Sequence, residues 1–289
     1  MLPFDCGLHK ERSALRSGRN SGLVRPHAIF ATELFTLVCI LFLALCGCSP
    51  AVHCTDTGGL KACPRVLFIG NSYTYVNDLP GTLAALARSG GHVVETGMAA
   101  SGGWTLTQHS NSAQTLDQLG SAKWDYVVLQ EQSEIPSMES SRNQEMYPAA
   151  RWLVQKIRQN GAQPVFFLTW AHRDGWPENG LADYESMQLQ TNQGYLAIAN
   201  ELSARVAPVG YAWLTAWLQD PGVGLWQADG SHPSVQGTYL AACVFYAVLF
   251  RQSPEGLRYT DGLPAKTARY LQSLAASTVL NAPGQWNLP

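Results

Sequence analysis

The chain has 289 residues, 46% hydrophobic, 14% charged and 10% aromatic, with 19 basic against 21 acidic side chains and a net charge of −2. That length is ample for a buried core and suits one large domain or two small ones. Low charge with high apolar content excludes a disordered chain, 26 Gly and 16 Pro without a G-x-y period exclude a collagenous one, and the lack of a Lys/Arg stripe leaves no expected nucleic-acid partner.

From Leu34 to Cys46 the chain runs thirteen residues without a charge. A spanning helix needs about 20 apolar residues, so this run has the length of a signal-peptide core rather than of a membrane span. Lys10, Arg12, Arg16, Arg19 and Arg25 form a long positive region before it, and a start of translation near Val24 would shorten that region to Arg25 alone. Leu45-Cys46-Gly47-Cys48, which ends the run, resembles the lipobox of bacterial lipoproteins and implies acylation at Cys48; plain signal cleavage a few residues later is the alternative. Residues 1–47 are therefore expected to be an export leader, 48–64 a lipid-anchor or spacer segment, and 65–289 the folded domain. The expected location is outside the cytoplasm, on a membrane through Cys48 or else secreted. Cys54 and Cys63 are close enough for a disulfide in an oxidising compartment, whereas Cys243, in an apolar helical run, is expected to be a buried thiol.

The remainder alternates strands and helices. Arg65–Gly70 is a continuous apolar run closed by Gly, as in a buried parallel strand. A helix over Pro80–Arg88 stops at Ser89-Gly90-Gly91, and His92–Thr96 is expected to be the second strand. Tyr126–Leu129 makes a third strand, a helix over Asn143–Asn160 stops at Gly161, and Pro164–Thr169 makes a fourth. A helix over Leu181–Arg205 leads into a short fifth strand, Val206–Val209, followed by helices near Val235–Phe250 and Pro264–Leu280. This alternation predicts one α/β domain, a parallel sheet covered by helices on both faces, with ligands beyond the C-terminal strand ends.

Four segments follow strand ends: Gly70-Asn71-Ser72-Tyr73-Thr74, Ser101-Gly102-Gly103-Trp104-Thr105, Gln130-Glu131-Gln132-Ser133 and Asp229-Gly230-Ser231-His232-Pro233. In this order they resemble the sequence blocks of the SGNH (GDSL-like) hydrolases, and within them a bacterial branch with GNS[YF]T and DGSHPS, over roughly residues 65–250. The resemblance implies a three-layer α/β/α fold with a mostly parallel, five-stranded, flavodoxin-like sheet.

The residues argue for the same chemistry. A serine hydroxyl needs a base to take its proton, and a base of the histidine type needs a carboxylate to hold its tautomer. Asp229, three residues before His232 in a Gly-containing turn, can fold back onto that ring. The resemblance implies Ser72 as nucleophile, His232 as general base then acid, and Asp229 as its orienter. It also implies oxyanion donors at the Ser72 N–H, a glycine N–H and a side-chain amide. Gly103 aligns for the second through Gly103-Trp104-Thr105, with Gly102 the close alternative, and the third falls on Gln132, where the family usually has Asn. Asn71 stands where Asp is commoner, and Gln130 where Gly is usual two positions before the amide. There is no G-x-S-x-G elbow of the α/β-hydrolase type.

Each block has a bland alternative: Gly-Asn-Ser as an ordinary turn, and Ser231 or Ser234 as the cap of the Val235 helix. His172, after the fourth strand, is placed to line the cleft or to make a structural hydrogen bond. His109 is expected at the surface or behind the site, and Glu131 to anchor a loop through backbone N–H groups. Trp104, Trp170, Trp176 and Trp226 fall in loops near the site and could stack on sugar rings or belong to the core. The expected activity is hydrolysis of short acyl esters, acetyl foremost, on a small-molecule or glycan ester. The alternatives are a catalytically idle glycan-binding lipoprotein and an acyltransferase using the same residues. No cofactor or metal is expected: there is no C-x-x-C, H-E-x-x-H or phosphate-binding glycine motif. Nothing in the sequence sets an oligomeric state.

Overall fold

The computed structural model describes residues 63–289. The predicted leader, Cys48 and Cys54 lie outside the described residues; Cys63 is disulfide-bonded.

Five strands, β1 (Arg65–Gly70), β2 (Glu95–Ala100), β3 (Tyr126–Leu129), β4 (Gln163–Phe167) and β5 (Arg205–Ala207), form one sheet in the order β2-β1-β3-β4-β5. Every pairing is parallel. Val66–Ile69, Val127–Leu129 and Val165–Phe167 are fully buried, as strands covered on both faces must be. At their starts Arg65 pins three strands together: its guanidinium meets Glu95 at 2.9 Å and its N–H donates to Asp125 Oδ2 at 2.9 Å. At their ends the register sets Gly70 beside Ala100 and Ile69 beside Leu129. The segments after β1, β2 and β3 thus leave the sheet at one level, around the point where strand order reverses.

The helices are α1 (Ser72–Tyr75), α2 (Leu79–Ser89), α3 (Leu106–Ser110), α4 (Ala113–Gly120), α5 (Tyr147–Gln159), α6 (Tyr184–Glu201), α7 (Val209–Gln219), α8 (Val235–Phe250) and α9 (Ala265–Leu280). α8 packs on α2, α7 and α9, while α3 packs on α5, giving the three-layer α/β/α architecture expected. α8 is buried along nearly its whole length, so its sequence is apolar all round rather than amphipathic.

Several boundaries differ from the sequence expectation: α6 spans Tyr184–Glu201 rather than 181–205, β4 Gln163–Phe167 rather than 164–169, and β5 Arg205–Ala207 rather than 206–209. β2 spans Glu95–Ala100 instead of 92–96, because an edge strand of Gly and Ala takes its extent from pairing with β1. The helix expected from Asn143 begins with a π turn over Arg142–Met146, and α5 proper starts at Tyr147 with Pro148 in its first turn. The short helices α3 and α4 were not anticipated, and neither was α7. Its Pro208-Val209-Gly210 start resembles a turn, yet the Gly210 N–H bonds the Leu168 carbonyl at 2.9 Å and Trp213 is buried beneath the helix.

Candidate active site

The segment after β1 is fastened before Ser72 is reached. Asn71 caps α1: its Oδ1 accepts from the Tyr73 N–H at 3.1 Å, and its Nδ2 donates to the Trp104 carbonyl at 3.0 Å, tying the β1 and β2 loops together. Beneath it lies Gln130, fully buried, with every hydrogen-bonding position filled. Its Oε1 accepts from the Asn71 N–H at 2.8 Å and the Thr74 hydroxyl at 3.0 Å; its Nε2 donates to Asn71 Oδ1 at 2.9 Å and to the Glu131 carbonyl at 2.6 Å. Two of the three departures from the family pattern, Asn71 and Gln130, are thus partners: an amide at 71 can accept from the amide at 130 and still donate to Trp104. Gly70 makes room for this, since a Cβ there would lie 2.4 Å from Gln130 Oε1.

The turn 229–232 brings the other two predicted residues to Ser72. Asp229 Oδ1 accepts the N–H groups of Ser231 and His232, both at 3.0 Å, while Oδ2 meets His232 Nδ1 at 2.6 Å. Facing a carboxylate, Nδ1 carries the proton, and Nε2 is left to accept from the Ser72 hydroxyl at 3.0 Å. Partial burial pulls the Asp229 carboxyl up, but hydrogen bonds from the Ser231 N–H, the His232 ring and the His232 N–H outweigh it and hold the group below its ordinary value. The loop is tied down from below: Trp170 Nε1 donates to the Ser231 carbonyl at 2.9 Å, the Tyr73 hydroxyl meets Ser231 Oγ at 2.8 Å, and Asn77 Nδ2 donates to the Pro233 carbonyl at 2.9 Å. Ser234 does cap α8, accepting from the Gly237 N–H, so helix capping and the geometry of the candidate site share one turn.

Ser72 and His232 open into a cleft of about 350 Å³ lined also by Asn71, Gly102, Gly103, Gln132 and His172. Gly103 has φ +70°, a left-handed conformation that disfavours other residues. No hydrogen bond occupies the Ser72 or Gly103 N–H among the described residues. Gln132 is fixed by its oxygen, Oε1 accepting from the N–H groups of Glu134 at 2.8 Å and Ile135 at 3.2 Å, while its NH₂ end makes longer bonds to Ser133 Oγ at 3.3 Å and Glu134 Oε2 at 3.5 Å. The extra methylene relative to Asn is taken up by folding the amide back as a cap on the following turn.

His172 lines the cleft and also makes a structural bond, Nε2 to Ser133 Oγ at 3.0 Å. Burial lowers its pKa against the upward pull of Glu134 and Asp229. Glu131 anchors loops as expected, its Oε1 accepting from the N–H groups of Leu106 at 3.0 Å and Gln132 at 2.7 Å.

Of the four tryptophans Trp170 is a core residue, while Trp104, Trp176 and Trp226 are half-buried. Trp170 is fully buried, stacked between Tyr73 at 4.5 Å and Trp213 at 3.9 Å, and Trp226 and Trp176 pack around Tyr184 and its neighbours. Trp104 does not line the cleft; its half-buried ring meets His109 edge-on at 5.0 Å. The exposed aromatic at the cleft is Tyr75, missed in the sequence although it stands three residues after Ser72, on the same helical face. Ser133, Glu134 and Ser231 were likewise missed as lining residues. His109 is buried rather than at the surface. It bonds the Gly70 carbonyl through Nε2 at 2.8 Å and Thr115 Oγ1 through Nδ1 at 2.9 Å, behind β1, and burial lowers its pKa. Cys243 is buried, and burial pushes its thiol well up. Among the described residues no cluster of His, Cys, Asp or Glu could hold a metal ion.

No family model matches the sequence, and no curated protein matches it. Solved structures do. One, assigned as an SGNH hydrolase from Slackia heliotrinireducens, is 30% identical and covers 63% of this chain and 97% of its own, with a TM-score of 0.54. A DUF4886 family protein from Bacteroides uniformis, 20% identical, covers 76% of this chain and 95% of its own at a TM-score of 0.65. A protein assigned as a GDSL-like lipase from Parabacteroides merdae, 15% identical, covers 65% and 96% at 0.50. The last two share the fold; the first, matched over nearly its whole length, carries the family, and the chain described here belongs to the SGNH hydrolases.

Proposed function

We propose that this protein is an exported serine esterase that removes short acyl groups, acetyl foremost, from polar substrates of the carbohydrate type, held to a membrane through a lipid on Cys48. The observation that carries the esterase reading is the unbroken chain from Ser72 Oγ through His232 to Asp229, with links of 3.0 and 2.6 Å, at a cleft containing Gly103 and Gln132.

In this mechanism Ser72 Oγ attacks the ester carbonyl carbon while its proton passes to His232 Nε2. Asp229 stabilises the imidazolium so formed and keeps its Nδ1–H in place. Negative charge develops on the carbonyl oxygen, where the N–H groups of Ser72 and Gly103 and the Gln132 NH₂ receive it. A donor of this kind is worth about 2.7–4 kcal/mol. Collapse expels the alcohol, protonated by His232; water then attacks the acyl carbon while giving a proton to His232, and His232 returns that proton to Ser72 Oγ as the acid leaves. A polar substrate is supported by the lining: Ser133, Glu134, His172 and Ser231 offer donors and acceptors, and the Tyr75 ring, 40% exposed, offers a face for a sugar.

The test is hydrolysis of p-nitrophenyl esters of increasing acyl length by the wild type and Ser72→Ala. Fastest cleavage of the acetate with an inactive Ser72→Ala is the expected result. A folded wild type no faster than Ser72→Ala on every ester overturns it and turns attention to acyl transfer onto a sugar or to glycan binding alone.

A further inference from the structure

Glu131 is a fully buried carboxylate that the mechanism above does not use. Its backbone is fixed from both sides: the N–H donates to the Tyr195 hydroxyl at 2.9 Å, and the carbonyl accepts from Gln130 Nε2 at 2.6 Å. One carboxylate oxygen, Oε1, takes two backbone N–H groups, from Gln132 at 2.7 Å and from Leu106 at 3.0 Å. Those groups belong to different loops. Gln132 carries the proposed oxyanion amide after β3, and Leu106 stands three residues beyond Gly103, at the start of α3. Thr105 and Gln108 bond reciprocally around this helix start, so Glu131 takes an N–H that the cap does not serve.

The other oxygen, Oε2, is buried without a hydrogen-bond partner. Burial pushes the carboxyl up to about 7, against the two backbone bonds that lower it. For the fold alone this is a poor residue, because a carboxylate buried with half its bonding capacity unused costs free energy that an apolar side chain of similar size would not. Its yield lies in the two bonds of Oε1, and these join the strand ends that carry both outer oxyanion donors.

We infer that Glu131 is a positioning residue that clasps the Gly103 and Gln132 loops together and thereby sets the spacing of the oxyanion donors. The inference rests on the reading of Gly103 and Gln132 as those donors. Glutamine at 131 keeps an oxygen in the place of Oε1 and so preserves the clasp; leucine fills similar space and removes it. A clasp that sets donor spacing acts on the transition state more than on ground-state binding, so its loss lowers kcat and spares KM.

The experiment compares full-length wild type, Glu131→Gln and Glu131→Leu by peptide-resolved amide hydrogen exchange and by kinetics on p-nitrophenyl acetate. Glu131→Leu is expected to exchange at least about tenfold faster in the peptides holding Leu106 and Gln132, with β1 and α8 unchanged. Its kcat is expected to fall about 100-fold with KM within about threefold, while Glu131→Gln stays within about fivefold of wild type in both. Unchanged exchange or unchanged kcat in Glu131→Leu overturns the inference. So does faster exchange spread through β1 and α8, which would reduce Glu131 to a core residue, and so does a Glu131→Gln enzyme as slow as Glu131→Leu with its protection intact. Should the wild type cleave no ester, the esterase reading fails by itself, and the exchange data still decide whether the clasp exists.

Discussion

Replacing Gln130 by glycine, the residue usual at this position in the family, removes four hydrogen bonds at once. The groups left behind are the Asn71 N–H, the Thr74 hydroxyl, Asn71 Oδ1 and the Glu131 carbonyl, in a region where Gln130, Asn71, Thr74 and Glu131 are all buried. At a net contribution of about 1 kcal/mol per bond the loss is about 4 kcal/mol. The void left by the side chain adds to this, and a water entering it takes some back. Such a loss is a large share of the roughly 5–15 kcal/mol that holds a domain together. It falls on the residues that aim Ser72, so kcat is expected to drop with stability. Urea unfolding followed by circular dichroism measures the first effect, and p-nitrophenyl acetate turnover measures the second. Combining Gln130→Gly with Asn71→Ala isolates the one side-chain pair they share, with an expected coupling of about 1 kcal/mol. A Gln130→Gly protein within about 1 kcal/mol of wild type and equally active would refute the matched-pair argument.

Three other expectations follow from the same geometry. Asp229→Asn keeps an oxygen for the N–H groups of Ser231 and His232 but loses the acceptor that fixes the His232 tautomer, so kcat should fall between about 10² and 10⁴-fold with the fold intact; a loss under about tenfold removes Asp229 from its role. Gly103→Ala meets open space but carries φ +70°, so about 1–2 kcal/mol of backbone strain should appear as a lower Tm together with reduced kcat; an unchanged Tm and rate would show that the loop relaxes freely. The raised pKa of Glu131, about 7 against an ordinary 4.5, means the folded state holds its proton longer than the unfolded chain. The stability this contributes is full below pH 4.5 and lost as pH rises through 7, by about 3 kcal/mol. Glu131→Gln, which cannot ionise, should therefore gain on the wild type across that window in Tm measured pH by pH, and parallel curves would count against a buried, raised carboxyl.

What could be read from residues alone was set by local physics. β1, β3 and β4 are apolar runs because they are buried on both faces, and any segment so composed announces itself. Asp229 and His232 stand three apart, so one short turn suffices to join them. Ser72 and Gly103 follow strand ends, and in a parallel sheet those ends converge. Family resemblance added roles that spacing does not supply. What only the tertiary structure decided depends on residues brought together from afar. Ser72 meets His232 across 160 positions, and Gln130 completes Asn71 across 59. Trp170 proved to be a core residue because Tyr73 and Trp213 enclose it, whereas Tyr75 stayed exposed at the cleft. β2 took its extent from β1, and His109 its burial from the Gly70 carbonyl and Thr115. Composition tells whether a side chain tolerates water, but whether water reaches it is settled by which other segments arrive first, and that is a property of the packed whole.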